Sequence, residues 1–122
     1  MYCGKGSCVL SCQADGTVVL QPDGTVVKYG SRVSRSEASS MTLVAKETKV
    51  PVPEILNQGF ERFGKNEWGY VSMSQLSGMS LEDAWPILFD HAKESICLQL
   101  WCMIMAIRQI AKPAELARHF VC

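Results

Sequence analysis

No run of apolar residues in this sequence exceeds eight, and the longest, Leu100–Ile107, falls far short of the roughly 20 that a membrane-spanning helix needs. Nor does charge of one sign accumulate. Twelve Lys and Arg balance twelve Asp and Glu, and the pI is near 6.7. That balance excludes a nucleic-acid or membrane-surface binder built on bulk charge, though not a local basic site. The opening stretch MYCGKGSCVLSC carries one Lys and no apolar run of signal-peptide length. A soluble, cytoplasmic chain with no nucleic-acid and no membrane partner is the resulting expectation. What is present is ordinary globular composition, with 48% hydrophobic and 20% charged residues, which argues against disorder as the main state. A chain of 122 residues makes one small domain that can bury roughly two-thirds of its unfolded surface.

Cysteine is abundant, at positions 3, 8, 12, 97, 102 and 122. An even count invites a disulfide framework, but that solution belongs to secreted chains with poor cores. The cluster Cys3, Cys8, Cys12 has no CxxC pair and no nearby His, which disfavours zinc. Cys97 and Cys102 lie in an apolar helical stretch, where a free thiol behaves as a small hydrophobe. Reduced structural thiols are expected, with no metal site.

The first third reads as strands. Ser7–Gln13 ends at Ala14-Asp15-Gly16, Thr17–Gln21 stops at Pro22-Asp23-Gly24, and Thr25–Tyr29 ends at Gly30. Gly after Asp is expected to supply the positive φ of a tight hairpin turn. The polar stretch Ser31–Ser36 then leads into a helix over about 35–47. Ala38, Met41, Val44 and Ala45 form its buried stripe, and Ser34 with Glu37 has capping-box spacing. Val50-Pro51-Val52-Pro53 enforces extended chain. Ile55–Gly59 reads as a short strand, Glu61–Glu67 as a polar loop and Trp68–Met73 as a further strand, about five in all. Ser80 caps a short helix ending before Pro86. A long helix follows over about 90–110, with Ile96, Leu100, Met103, Ile107 and Ile110 on one stripe flanked by Cys97, Trp101 and Ile104. Pro113 interrupts it, and Ala114–Val121 reads as a last short helix.

This order, with Val26-Val27-Lys28-Tyr29-Gly30, Glu37-Ala38 followed by Met41 and Val44, and Val50-Pro51-Val52-Pro53, resembles the aminoglycoside phosphotransferase and choline kinase-like family. The run Tyr70-Val71-Ser72-Met73-Ser74-Gln75-Leu76-Ser77-Gly78 with Leu81 and Trp85 continues the resemblance. Lys93-Glu94-Ser95-Ile96-Cys97-Leu98-Gln99-Leu100 is similar particularly to fungal members. It spans about residues 15–110, and the order and spacing of the pieces carry it. The resemblance implies an α+β kinase-like N-terminal lobe: an antiparallel sheet of about five strands with one packed helix, followed by a long C-terminal helix. Residues 1–76 would be the nucleotide-binding lobe, and 77–122 the connector and the start of a second, catalytic lobe.

The same resemblance implies the roles of a nucleotide site. Lys28 would meet the α- and β-phosphates of ATP and Glu37 would fix Lys28. Val26, on the same strand face, would contact the adenine. Met73 would back the pocket, with Ser74, Gln75 and Leu76 forming the hinge. The alternative for these residues is a solvated edge lysine, a capping glutamate and ordinary strand core. The phosphate-cradling loop is reduced to Ala14-Asp15-Gly16-Thr17, without G-x-G-x-x-G. Gly4-Lys5-Gly6-Ser7 is not a Walker loop either.

Two histidines, His91 and His119, are the whole complement, and neither is followed by the Asp of an H-G-D-x-x-x-x-N loop. The family's catalytic base and later metal-binding Asp are therefore lacking, so Mg would be held only with the missing lobe. The expectation is a truncated ATP-dependent phosphotransferase, inactive alone with residual ATP binding. The alternative is a non-catalytic interaction module whose protein partner covers the apolar face of helix 90–110.

Overall fold

A computed structural model describes residues 3–4 and 6–111. Along the chain run β1 (Cys3–Gly4), β2 (Ser7–Gln13), β3 (Gly16–Leu20), β4 (Thr25–Gly30), α1 (Arg35–Glu47), β5 (Ile55–Phe63) and β6 (Asn66–Ser74). They are followed by α2 (Leu81–Ala84), a 3₁₀ turn (Trp85–Ile87) and α3 (Asp90–Arg108). The fold is α+β. Its sheet has the order β1-β2-β3-β4-β6-β5 with every neighbour antiparallel, and the two-residue β1 accounts for a sixth strand beyond the five expected. Two compact units divide the described residues: those up to Lys46 with Pro51–Gly78, and Glu47–Val50 with the described residues from Met79 onward.

The hairpin turns obey local chemistry, with one correction. Between β3 and β4, Pro22 sets the turn, the Gly24 amide donates to the Gln21 carbonyl, and Gly24 takes φ +86°. Asp23 Oδ1 accepts from the Thr25 amide at 2.9 Å and from its hydroxyl at 2.7 Å. Gly16 was expected to play the part of Gly24 between β2 and β3. Instead the turn is Ala14-Asp15, Gly16 already belongs to β3, and its φ is not positive. Further from the turn, a bulge between Val9 and Ser11 shifts the β2–β3 register.

The polar segment 61–67 is also not a loop. Glu61 opposes Trp68, Arg62 opposes Glu67 and Phe63 opposes Asn66, so β5 and β6 run on to a two-residue turn at Gly64-Lys65. Gly64, at φ +61°, supplies the first position of that turn. Backbone pairing at an exposed hairpin tip tolerates polar side chains, which is why hydropathy alone reads this stretch as loop.

The core lies between α1 and one sheet face. Val33, Ala38, Val71 and Met73 are buried, with Val26, Met41, Ile55 and Phe60 packed against them. Ala45, expected on the buried stripe of α1, is exposed, and Leu43 is half-buried. Burial is concentrated in the first turns, where Ala38 and Met41 meet the core.

In the second unit, Ser80 caps α2 as expected, accepting from the Asp83 amide at 3.2 Å and donating to the Asp83 carboxylate at 2.8 Å. Among the described residues of α3 none is buried. Ile96, Met103 and Ile110 are half-buried, while Leu100 and Ile107 of the expected stripe are exposed, as are Cys97 and Cys102. These two thiols are therefore not core residues. Cys12 is also an exposed free thiol, and no cluster of metal-ligating side chains occurs among the described residues. No helix of the described residues is long and apolar enough to cross a membrane. The expected helix 114–121 lies outside the described residues.

Candidate functional site

Residues directly opposed on neighbouring strands point to one face of a sheet. Val18 opposes Lys28 and Lys28 opposes Val71, while Leu20 opposes Val26 and Val26 opposes Met73. Lys28 and Val26 therefore share the face that carries the buried core residues Val71 and Met73. Because α1 covers that face through Ala38 and Met41, Glu37, one residue before Ala38, is delivered beside Lys28.

The two meet. Lys28 Nζ donates to Glu37 Oε1 at 2.6 Å, with both side chains about one-third exposed. The bond is short, as expected of a charge-assisted contact. It also settles the competition for the Glu37 carboxylate. The helix begins at Arg35, so Glu37 stands at the third helical position, where a capping box would turn it back on Ser34. Instead the Ser34 hydroxyl lies 2.8 Å from that of Ser36, and Glu37 reaches the ammonium on β4. A full opposite charge within reach outcompetes a backbone amide.

Lys28 opens onto a cavity of about 370 Å³ within the sheet-bearing unit, within the range of small-molecule sites. Its walls come from Ser11 and Gln13 on β2, Val18 on β3, Lys28 on β4, and two residues that flank strands, Asp15 and Arg32. Asp15 occupies the β2–β3 turn, and Arg32 follows β4. Arg32 Nε lies 3.0 Å from Asp15 Oδ2, and the Arg32 amide donates to the Asp15 carbonyl at 3.2 Å. Gly30 permits this approach, since a β-carbon there would overlap the Asp15 carbonyl oxygen. Arg32 carries no signal of this role in the sequence, since it stands in a polar stretch and lies 17 positions from Asp15. No local pattern links the two, and only the β2–β3–β4 meander brings them together.

The remaining candidates are placed unevenly. Val26 packs against the buried core and Met73 is part of it; both share the sheet face of Lys28, serve packing, and do not line the cavity. Ser74 ends β6 with its polar groups engaged: its amide donates to the Glu54 carbonyl at 2.9 Å, and its hydroxyl accepts from the Glu54 amide at 2.8 Å. The Ser74 amide is therefore committed to closing the sheet edge rather than to a ligand. Gln75 and Leu76 follow as exposed residues outside regular structure. The arrangement thus holds two cations, Lys28 and Arg32, around one cleft, each paired with a carboxylate. No family model matches the chain, and no curated protein and no solved structure matches it either.

Proposed function

We propose that this chain is the ATP-binding lobe of a phosphotransferase of the aminoglycoside phosphotransferase and choline kinase-like type. The observation that carries the reading is the Lys28–Glu37 ion pair, whose lysine lines a cavity. A strand lysine fixed by a helix glutamate is the device that kinase-like lobes use to hold α- and β-phosphates in register. The cavity suits such a ligand, since it offers Lys28 and Arg32 to phosphate oxygens and Val18 as an apolar wall. Val26 and Met73 would back the adenine end, with Gln75 and Leu76 as the exposed connector beside it. When bound, the nucleotide supplies the transferable phosphoryl group, and this chain's residues bind and orient it.

Transfer itself requires a base and metal-binding carboxylates that these 122 residues do not provide in the family's H-G-D-x-x-x-x-N form. The lobe by itself therefore binds and does not turn over. Calorimetric titration with Mg-ATP tests this. Binding on the order of 1 mM, about −4 kcal/mol, lost in Lys28→Ala, is the expected result. Binding that Lys28→Ala leaves intact refutes the assignment, and turnover by the isolated chain that Lys28→Ala abolishes refutes the claim of inactivity.

A second reading, a non-catalytic interaction module, draws on α3. Leu98 is 66% exposed and Trp101 55%, with Leu100, Ile104 and Ile107 also open. Apolar exposure on this scale marks surfaces that are covered in the working state. Sedimentation at rising concentration separates the readings: self-association without ATP affinity favours the module.

A further inference from the structure

We propose that Asp15 and Arg32 form an anion-responsive latch over the cavity, in which the Arg32 guanidinium exchanges the Asp15 carboxylate for a phosphate oxygen of the ligand. The proposal rests on the nucleotide-lobe reading and deepens it, because it concerns how that site admits its ligand.

The charges of the cleft cancel as they stand. Lys28 is neutralised by Glu37 and Arg32 by Asp15. A polyphosphate brings several negative charges, so one carboxylate must withdraw before the cleft attracts it. The two pairs differ in how readily they part. Lys28 and Glu37 are 35% and 32% exposed and meet at 2.6 Å, with α1 held by the core beside them. Arg32 and Asp15 are 80% and 41% exposed and meet at 3.0 Å. An ion pair this open is worth little to the fold, so its exchange for a more highly charged partner is favourable. Arginine also suits the incoming group, since its planar fork matches phosphate geometry.

The backbone is arranged so that only side chains need move. The Arg32 amide holds the Asp15 carbonyl at 3.2 Å, and the turn is seated on Gly30, where any β-carbon would overlap it. The β2–β3 turn therefore stays in place while the guanidinium changes partner. Asp15 is thus an electrostatic competitor of the phosphate, and a short turn carrying a carboxylate takes the place of a glycine-rich phosphate loop.

The test is titration of ATP into four proteins at low and at physiological salt: the natural chain, Asp15→Asn, Arg32→Gln and Lys28→Ala, each verified as folded by circular dichroism. Asp15→Asn is expected to tighten ATP binding three- to tenfold, and Arg32→Gln to weaken it by a similar factor. Both effects shrink as salt rises, and adenosine shows neither. Asp15→Asn binding that is unchanged or weaker overturns the latch, and if Lys28→Ala still abolishes binding, the nucleotide-lobe reading survives. Equal ATP binding by Lys28→Ala and the natural chain, or no binding by any of the four, overturns both.

Discussion

Two helices of this molecule carry apolar stripes, and they meet opposite fates. The 13-residue α1 contains few large apolar side chains, yet it buries Ala38 to 2% exposure and contributes Met41 to the core. The 19-residue α3 is richer in Leu, Ile, Met and Trp, and none of its residues is buried. Apolar content is therefore not what decides burial. A helix is buried when the chain presents a matching surface, as the face of β4 and β6 does for α1 with Val26, Val71 and Met73. The consequence for function is direct. Because α1 is anchored, Glu37 has a fixed position and can orient Lys28, whereas α3 offers surface without an anchored polar constellation.

The largest test of this contrast is Val71→Asp against Leu98→Asp. Val71 is 1% exposed, and an unpartnered carboxylate there should cost several kcal/mol, roughly 3–5, and unfold the sheet-bearing unit in a thermal melt. Leu98→Asp should shift stability by no more than about 0.5 kcal/mol. Comparable losses at the two positions would break the comparison. Next in size, Val71→Ala removes two buried carbons and should cost about 2 kcal/mol, read from the denaturant midpoint at unchanged slope.

A smaller effect sharpens the functional half. Glu37→Gln removes a partly exposed ion pair and should lower stability by at most about 1 kcal/mol, while ATP affinity falls severalfold because Lys28 loses its fixed position. Stability lost without any change in affinity would make the pair structural only. Smallest of all is Asp23→Ala. The Thr25 amide and hydroxyl hold the Asp23 carboxyl below its ordinary value. A carboxyl lowered on folding stabilises the protein above its unfolded pKa, and that stability is lost as pH falls through the lowered folded value. Asp23→Ala should therefore melt slightly earlier than the natural chain near neutrality, with the gap closing in acid. A gap that widens in acid would contradict the sign.

How much of this could be read from the sequence follows from the range of the forces involved. Turn chemistry is local, so Pro22-Asp23-Gly24 announced its hairpin, and the Ser80 cap and the limits of α1 were legible for the same reason. Lys28 and Glu37 were legible as a pair only through the order of elements around them. Their contact spans nine positions and depends on how α1 seats on the sheet. The Asp15–Arg32 pair was not legible, because it needs the register of three strands at once. The extension of β5 and β6 through residues 60–67 was hidden because backbone pairing leaves no hydropathy signature in polar strands. The exposure of Leu100, Ile107, Cys97 and Cys102 was hidden because an apolar stripe specifies a preference for cover but not the surface that provides it.

The most direct measurement of the central claim is a residue-resolved amide chemical-shift map on addition of Mg-ATP. Shifts should concentrate at the cavity, on Gly16, Val18, Lys28, Arg32 and their strand neighbours, and all should be lost in Lys28→Ala, with α3 resonances unmoved. Shifts that run along α3, or that persist at the cavity without Lys28, would contradict it.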